Sequence, residues 1–326
     1  MIEPSKTTLC VVVPCYCEQE VLPAIHASLQ TLLDELVAAG KVGQESMVLY
    51  VDDGSTDGTW DEIMRLHAAS PSRVRGVKLA SNVGHQTALL AGMEAALEHA
   101  DVVVTIDADL QDDVRAIEEM MASYHAGHDV VYGVRRSRAT DGWFKRSTAR
   151  LFYRLMGALG AKLVDNHADF RLLSRRAVQQ LLRYRERNLF LRGMVPLMGY
   201  PSAVVYYDRA PRQAGHTKYP LSKMLSFAAS GITSFSTKPI SLLIGLGAVF
   251  IIIAIACFIY VLWRWWRGEI IAGWTSIMLS IWFVGGCIIM GLGIVGEYVA
   301  KIYIEVKDRP RYIIEQTTEN EQERAE

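Results

Sequence analysis

Cysteine is scarce and shows no pairing pattern. The chain of 326 residues has five, Cys10, Cys15, Cys17, Cys257 and Cys287. Two lie in apolar stretches and three in one N-terminal strand context, and none forms C-x-x-C. That argues against a disulfide framework and against a zinc or redox site. Charge of one sign is not in excess either. Lysine and arginine number 34 and aspartate and glutamate 35, a formal net charge of −1. A general nucleic-acid binder carries a basic bias, so nucleic acid is not an expected partner. Met1 to Lys6 leads into an apolar run of about seven residues, too short for the hydrophobic region of a signal peptide, so no cleaved leader is expected. No G-x-G-x-x-G follows the first apolar run and no G-x-x-x-x-G-K-[ST] occurs, which disfavours a dinucleotide-dependent dehydrogenase and a P-loop ATPase. A nucleotide or phosphate has to be held some other way.

Charge is nearly absent from one region. From Ile240 to Ala300, 61 residues, only Arg264, Arg267, Glu269 and Glu297 are charged. Residues 239–263 and 270–296 carry none, runs of 25 and 27 positions. Each run exceeds the roughly 20 residues that cross a hydrocarbon core as a helix. Trp263, Trp265, Trp266 and Trp274 cluster at the shared end, as interfacial aromatic anchors do. Lys218, Lys223 and Lys238 precede the first run and Lys301, Lys307, Arg309 and Arg311 follow the second. The positive-inside rule therefore puts both ends on the cytoplasmic side. Tyr219 to Thr237 mixes Leu221, Met224, Leu225, Phe227 and Ile232 with serines and lysines, which fits interfacial helices on the inner leaflet. Gly285, Gly286, Gly291, Gly293 and Gly296 offer a small-residue surface that suits packing within the hairpin or a homo-oligomer contact equally. The expected organisation is an N-terminal domain over 1–216, interfacial amphipathic helices over 217–238 and a first transmembrane helix over 239–263. An external loop over 264–269, a second transmembrane helix over 270–296 and a cytoplasmic tail over 297–326 complete it. The chain is read as a multi-pass protein of the inner membrane, with the lipid bilayer as partner and the N-terminal domain cytoplasmic.

That domain alternates two periodicities. Leu9 to Val13, Met47 to Val51, Val74 to Leu79 and Val102 to Ile106 are short apolar runs, whereas Val21 to Ala39, Thr59 to Ala69, Thr87 to His99 and Val114 to His125 have helical spacing. The fold class expected is α/β, a parallel sheet covered by helices on both faces. Ligands in such sheets bind beyond the carboxyl ends of the strands. Polar clusters fall at those ends: Pro14 to Glu20, Asp52 to Asp57 and Asp107 to Asp113. Asp107-Ala108-Asp109 puts two carboxylates one residue apart at a strand end, which with Gln111 can hold Mg²⁺ or Mn²⁺ through hard oxygen ligands. One composite site is expected.

Several stretches resemble a known family. They are Pro14-Cys15-Tyr16-Cys17-Glu18, Val51-Asp52-Asp53-Gly54-Ser55-Thr56-Asp57-Gly58-Thr59, Ser81-Asn82-Val83-Gly84-His85-Gln86 and Asp107-Ala108-Asp109-Leu110-Gln111. Asp169-Phe170-Arg171-Leu172, Glu186-Arg187-Asn188-Leu189-Phe190, Gly215-His216-Thr217-Lys218-Tyr219 and Gly231-Ile232-Thr233-Ser234-Phe235-Ser236-Thr237 continue the series, and Gly296-Glu297-Tyr298 with Arg309-Pro310-Arg311-Tyr312 closes it. In order, they resemble family 2 glycosyltransferases of the GT-A fold, a Rossmann-like, mostly parallel arrangement. The likeness is to the branch acting on polyprenyl phosphates, which includes dolichyl-phosphate mannose synthases and bacterial bactoprenol glucosyltransferases. Cys17 departs from the asparagine most often found there, and Asn82-Val83-Gly84 departs from an arginine-asparagine-aromatic-glycine pattern.

The resemblance implies a hexosyltransferase with a nucleotide-sugar donor, UDP-glucose first, and a polyprenyl phosphate acceptor such as undecaprenyl phosphate. It implies that Pro14, Tyr16, Glu18, Val51 and Asp53 line the nucleoside, and that Asp107, Ala108 and Asp109 meet ribose and metal with Gln111. Arg135 matches a phosphate-contacting arginine, and Arg212 and Lys218 match a basic pair closing over the diphosphate. Lys145 or Arg146, with Ser147 or Thr148, would receive the lipid phosphate. The catalytic set so implied is Asp109, Arg135, Arg212 and Lys218. Other readings are the same reaction with UDP-GlcNAc, UDP-GalNAc or GDP-mannose, a processive membrane polysaccharide synthase, and a non-catalytic membrane scaffold. Two spans are few for a translocation channel, and an unreactive scaffold would not need this set of acidic and basic ligands.

Overall fold

The computed structural model describes residues 3–136, 167–186, 191–208 and 273–319, with scattered helical positions between 245 and 267. The chain divides into two compact units. One comprises Met1–Arg154, Lys162–Lys218 and Arg309–Glu326, the other Leu155–Ala161 and Tyr219–Asp308.

The first unit is built on an eight-stranded sheet. Its strands are β1 (Leu9–Cys15), β2 (Met47–Asp52), β3 (Val74–Leu79), β4 (Val102–Thr105), β5 (Val130–Arg135), β6 (His167–Ser174), β7 (Ser202–Tyr207) and β8 (Ile314–Thr317), in the order β7-β5-β6-β4-β1-β2-β3-β8. Every residue of β1, β2 and β4 is buried, which is why these strands read as continuous apolar runs. The helices α1 (Leu22–Ala38), α2 (Thr59–Ala69), α3 (His85–Ala96) and α4 (Ala116–His125) connect them, and α5 (Arg175–Leu182) and α6 (Leu191–Leu197) follow β6. Leu22, Ile25, Leu29, Leu32, Leu33 and Leu36 give α1 a continuous buried stripe at helical spacing.

The sheet is mixed, not wholly parallel. β1 pairs in parallel with β2 and β4, β2 with β3, and β5 with β7. β6 runs antiparallel between β4 and β5, and β8 lies antiparallel along β3. The parallel core brings the carboxyl ends of β1 to β4 to one end of the sheet. This agrees with the mostly parallel sheet expected, with β6 and β8 as its antiparallel members. β6 also interrupts its apolar run with charge in His167-Ala168-Asp169-Phe170-Arg171. Arg171 is nevertheless only 2% exposed, because Asp169 and a backbone carbonyl satisfy it.

In the second unit α7 (Trp274–Val306) is 33 residues long, about 50 Å at helical rise. Among the described helices one stretch, Phe283–Val306, is long and apolar enough to cross a membrane. It continues past the boundary expected at residue 296. Ile281, Phe283, Ile288, Ile289 and Leu292 project outward from it, as lipid-facing side chains do. Of the run 239–263, positions such as Ile252, Ile253, Ile255, Ile259 and Tyr260 are helical and exposed, and the ring of Phe250 meets that of Phe283 edge-on with centroids 5.5 Å apart. The expected interfacial helices at 217–238 lie outside the described residues.

Candidate active site

The loops leaving the carboxyl ends of β1 to β4 are tied to one another by short polar contacts. Pro14 and Val51 are register partners on β1 and β2. Beyond them the Asp53 amide donates to the Cys15 carbonyl (2.9 Å), the Cys17 amide to Ser55 Oγ (2.9 Å) and the Glu18 amide to Thr59 Oγ1 (3.0 Å). The first of these loops leaves Tyr16 with 49% of its surface exposed at the rim of the sheet.

The loop after β3 is anchored by a carboxylate. Asp53 Oδ1 accepts from the Val83 amide (2.8 Å) and Oδ2 from the Gly84 amide (3.0 Å). Gly84 has φ of +90°, a conformation that L side chains rarely adopt, and it turns the chain directly into α3. Burial pushes the Asp53 carboxyl upward, and the two amide bonds oppose that shift in part.

The D-x-D loop follows β4. The Gln111 amide donates to Asp109 Oδ1 (3.1 Å), and Leu110 between them has φ of +56°. Ala108 is buried, its methyl packed into the hydrophobic core beneath the loop. Asp107 is pushed up to about 6 by burial, with Asp112, Asp169 and Asp109 adding to the effect and His85 opposing it. Among the described residues Asp107 Oδ1 and Gln111 Oε1 are buried and make no hydrogen bond. No three His, Cys, Asp or Glu side chains among the described residues converge as a closed metal cage. Asp107, Asp109 and Gln111 offer instead a partial set of hard oxygens, which fits a Mg²⁺ or Mn²⁺ ion that keeps water and phosphate as its other ligands.

Two further ion networks border this loop. Asp112 Oδ1 accepts from Arg135 Nη2 (3.0 Å), from Arg135 Nε (3.3 Å) and from the Tyr207 hydroxyl (2.6 Å). Burial weakens the Arg135 charge, but Asp112 and Tyr207 more than offset this and hold the guanidinium protonated. On the other side Asp169 Oδ1 accepts from Arg171 Nη2 (2.5 Å) and Oδ2 from Arg192 Nη2 (3.0 Å). Burial alone would raise the Asp169 carboxyl, yet the two arginines keep it well below the usual carboxylate range. His85, at the start of α3, places Nε2 3.3 Å from Asp107 Oδ1 and 3.7 Å from Asp169 Oδ2.

The structure thus gathers Pro14, Tyr16, Glu18, Val51, Asp53, Asp107, Ala108, Asp109, Gln111 and Arg135 at one end of the sheet. Lys145, Arg146, Ser147, Thr148, Arg212 and Lys218 lie outside the described residues. His85, Asp112, Asp169, Arg192 and Tyr207 carry no role in the sequence reading. His85 and Asp169 stand inside stretches quoted for the family resemblance, and that was the signal available for them.

Residues 10–182 match the family described as Glycosyl transferase family 2. A Bacillus subtilis protein named Uncharacterized glycosyltransferase YkoT is 50% identical over 321 residues, covering 98% of this chain and 95% of that one. The Prophage bactoprenol glucosyl transferase homolog of Escherichia coli is 37% identical over 308 residues, with 93% and 97% coverage. The SfII prophage-derived bactoprenol glucosyl transferase of Shigella flexneri is 37% identical over 311 residues, with 94% and 97% coverage.

Proposed function

The chain belongs to glycosyltransferase family 2, and from that premise we propose that it is a membrane-bound inverting transferase carrying glucose from UDP-glucose to a polyprenyl phosphate. The observation that carries the reading is the set of side-chain oxygens on Asp107, Asp109 and Gln111 at the carboxyl end of β4, two of them buried without a hydrogen bond among the described residues, in a chain similar along nearly its whole length to bactoprenol glucosyl transferases. The product would be a polyprenyl-phosphate sugar for modification of cell-envelope glycans.

The protein's own residues have separable tasks in this reading. The exposed ring of Tyr16 packs on the nucleoside, beside Pro14, Glu18 and Val51. Each Asp53 oxygen has a second lone pair beyond its amide bond and can accept from a base N–H. Asp107, Asp109 and Gln111 would hold Mg²⁺ or Mn²⁺, which when bound neutralises charge on the departing diphosphate. Arg135, kept protonated and oriented by Asp112, and the Arg212 and Lys218 pair stabilise the same developing charge. Lys145 or Arg146, with Ser147 or Thr148, receives the acceptor phosphate. That phosphate is anionic at neutral pH, so no strong general base is needed; positioning does most of the work. A single displacement inverts the anomeric centre. The two apolar segments hold the protein at the inner membrane, where the lipid acceptor resides, with the site on its cytoplasmic side.

The test is a transfer assay on the full chain in nanodiscs with undecaprenyl phosphate, Mg²⁺ or Mn²⁺, and a panel of radiolabelled UDP-sugars and GDP-mannose. Label from UDP-glucose should pass to the organic phase, and EDTA or Asp109→Ala should abolish it with the fold retained. Label from a different donor corrects the sugar, and no label from any donor with folded protein overturns the transfer reading.

A further inference from the structure

Asp107 faces a side chain to which the mechanism above gives no task. His85 is the first residue of α3, and its position is fixed from both directions. Behind it, the Val83 and Gly84 amides are held by Asp53. Ahead of it, Gln86 Oε1 accepts from the Leu191 amide at 3.0 Å, pinning the first turn of α3 to the start of α6. From this anchored turn His85 Nε2 lies within ion-pair reach of two carboxylates, 3.3 Å from Asp107 Oδ1 and 3.7 Å from Asp169 Oδ2.

The two carboxylates are not equivalent. Asp169 already accepts from Arg171 and Arg192 and is only 8% exposed at its side chain, so it serves as a fixed wall. Asp107 Oδ1 is buried and makes no hydrogen bond among the described residues, while the Asp107 side chain as a whole is 33% exposed. His85 therefore approaches the buried Oδ1 from the protein side, while the rest of the same carboxylate stays open. Carboxylates that bind metals are in turn braced by such partners.

We propose that His85 is a positioning residue for the divalent cation of the donor complex, bracing Asp107 from behind against Asp169 so that its outer face meets the metal. The inference rests on the transferase reading in one respect, that Asp107 and Asp109 bind a divalent cation. Its test needs no sugar. Mn²⁺ is titrated into the full-length protein in detergent, and binding is followed by loss of the free-ion EPR signal. Three variants are compared with the unsubstituted chain: His85→Leu keeps bulk without a donor, His85→Gln keeps an N–H donor, and Asp109→Ala removes a direct ligand. Loss of an outer-shell partner weakens metal binding by roughly 10–100-fold, so His85→Leu should weaken Mn²⁺ by that factor and His85→Gln should recover most of it. Equal affinity of the Leu and Gln variants overturns the brace. No Mn²⁺ binding by the unsubstituted chain overturns the metal assignment and the brace together. A Leu–Gln difference in a protein that transfers no sugar upholds the brace while the transferase reading falls.

Discussion

At the residue scale the candidate site depends on backbone that only certain side chains permit. Gly54 has φ of +66°, and a Cβ there would lie 2.5 Å from the Ser81 carbonyl carbon and 2.6 Å from the Asn82 nitrogen. Both are main-chain atoms of the loop that Asp53 holds, so neither yields without moving that loop. Gly54→Ala should cost about 1–3 kcal/mol for the conformation alone, lower Tm and weaken nucleotide binding, measured by thermal unfolding and by titration calorimetry with UDP-glucose. A second prediction concerns acid stability. Asp129, just before β5, accepts from Ser174 Oγ (2.7 Å) and pairs with Arg176. Burial acts to raise its carboxyl, but the Arg176 and Ser174 bonds prevail and hold it below its ordinary 3.8. A depressed native pKa gives stability that is present above the unfolded value and is lost as pH falls through the native one. Asp129→Asn should therefore lower Tm at neutral pH and lose that difference in strong acid, which thermal scans across pH would read. The carboxylates of the D-x-D loop were legible in the sequence because two acids stand one residue apart at the end of an apolar run. Their partners were not, since His85, Asp169 and Arg192 are far apart along the chain and only the fold makes them neighbours.

At the scale of elements, legibility followed burial. Thr59–Ala69 and Val74–Leu79 begin and end where their periodicity says, and β1, β2 and β4 differ by one or two residues at their carboxyl ends. The helix expected from Thr87 starts at His85 instead, because the φ of Gly84 and the Asp53 anchor set its start. β8 left no local signal. Ile314-Glu315-Gln316-Thr317 is short, polar and half exposed, and it is a strand only because β3 offers a free edge. Once there, it is held at several points. The Ala80 amide donates to the Ile313 carbonyl (2.9 Å), Lys78 pairs with Glu315 (3.3 Å), and the Gly76 amide donates to Thr318 Oγ1 (3.1 Å). Arg75 pairs with Glu319, and the Tyr312 hydroxyl meets the Glu94 carboxylate. The residues that follow the apolar helix are thus an edge of the catalytic sheet, and β3 leads from them straight to the loop that Asp53 anchors. Thr318 is only 1% exposed, so Thr318→Val keeps its shape but strands the Gly76 amide, at about 1–3 kcal/mol. The variant should unfold at lower temperature, and the loss should be smaller in Thr318→Ser, which keeps the acceptor oxygen.

At the scale of the whole molecule, the proposed reaction demands that donor and acceptor meet on one side of a membrane. Nucleotide sugars are cytoplasmic solutes, so the D-x-D loop has to face the cytoplasm, and the basic residues flanking the apolar segments favour that orientation. The distribution of cysteine allows a direct check. Cys10 and Cys15 are buried in β1, with the thiols pushed upward by burial, whereas Cys17 is exposed at the site. Cys287 lies within α7, in the span expected to face lipid. An impermeant maleimide added to intact cells should therefore leave Cys17 unlabelled and should modify it once the cells are opened. In a Cys17→Ser chain, Arg267→Cys between the two apolar segments should show the reverse, with labelling in intact cells. If Cys17 is labelled in intact cells, the catalytic unit lies outside and a cytoplasmic donor is excluded. If Arg267→Cys is reached only after lysis, the segments do not form a spanning hairpin and the domain is held at the membrane surface instead. The predicted pattern, protected Cys17 with accessible Arg267→Cys, requires both a crossing pair of helices and an inward-facing site.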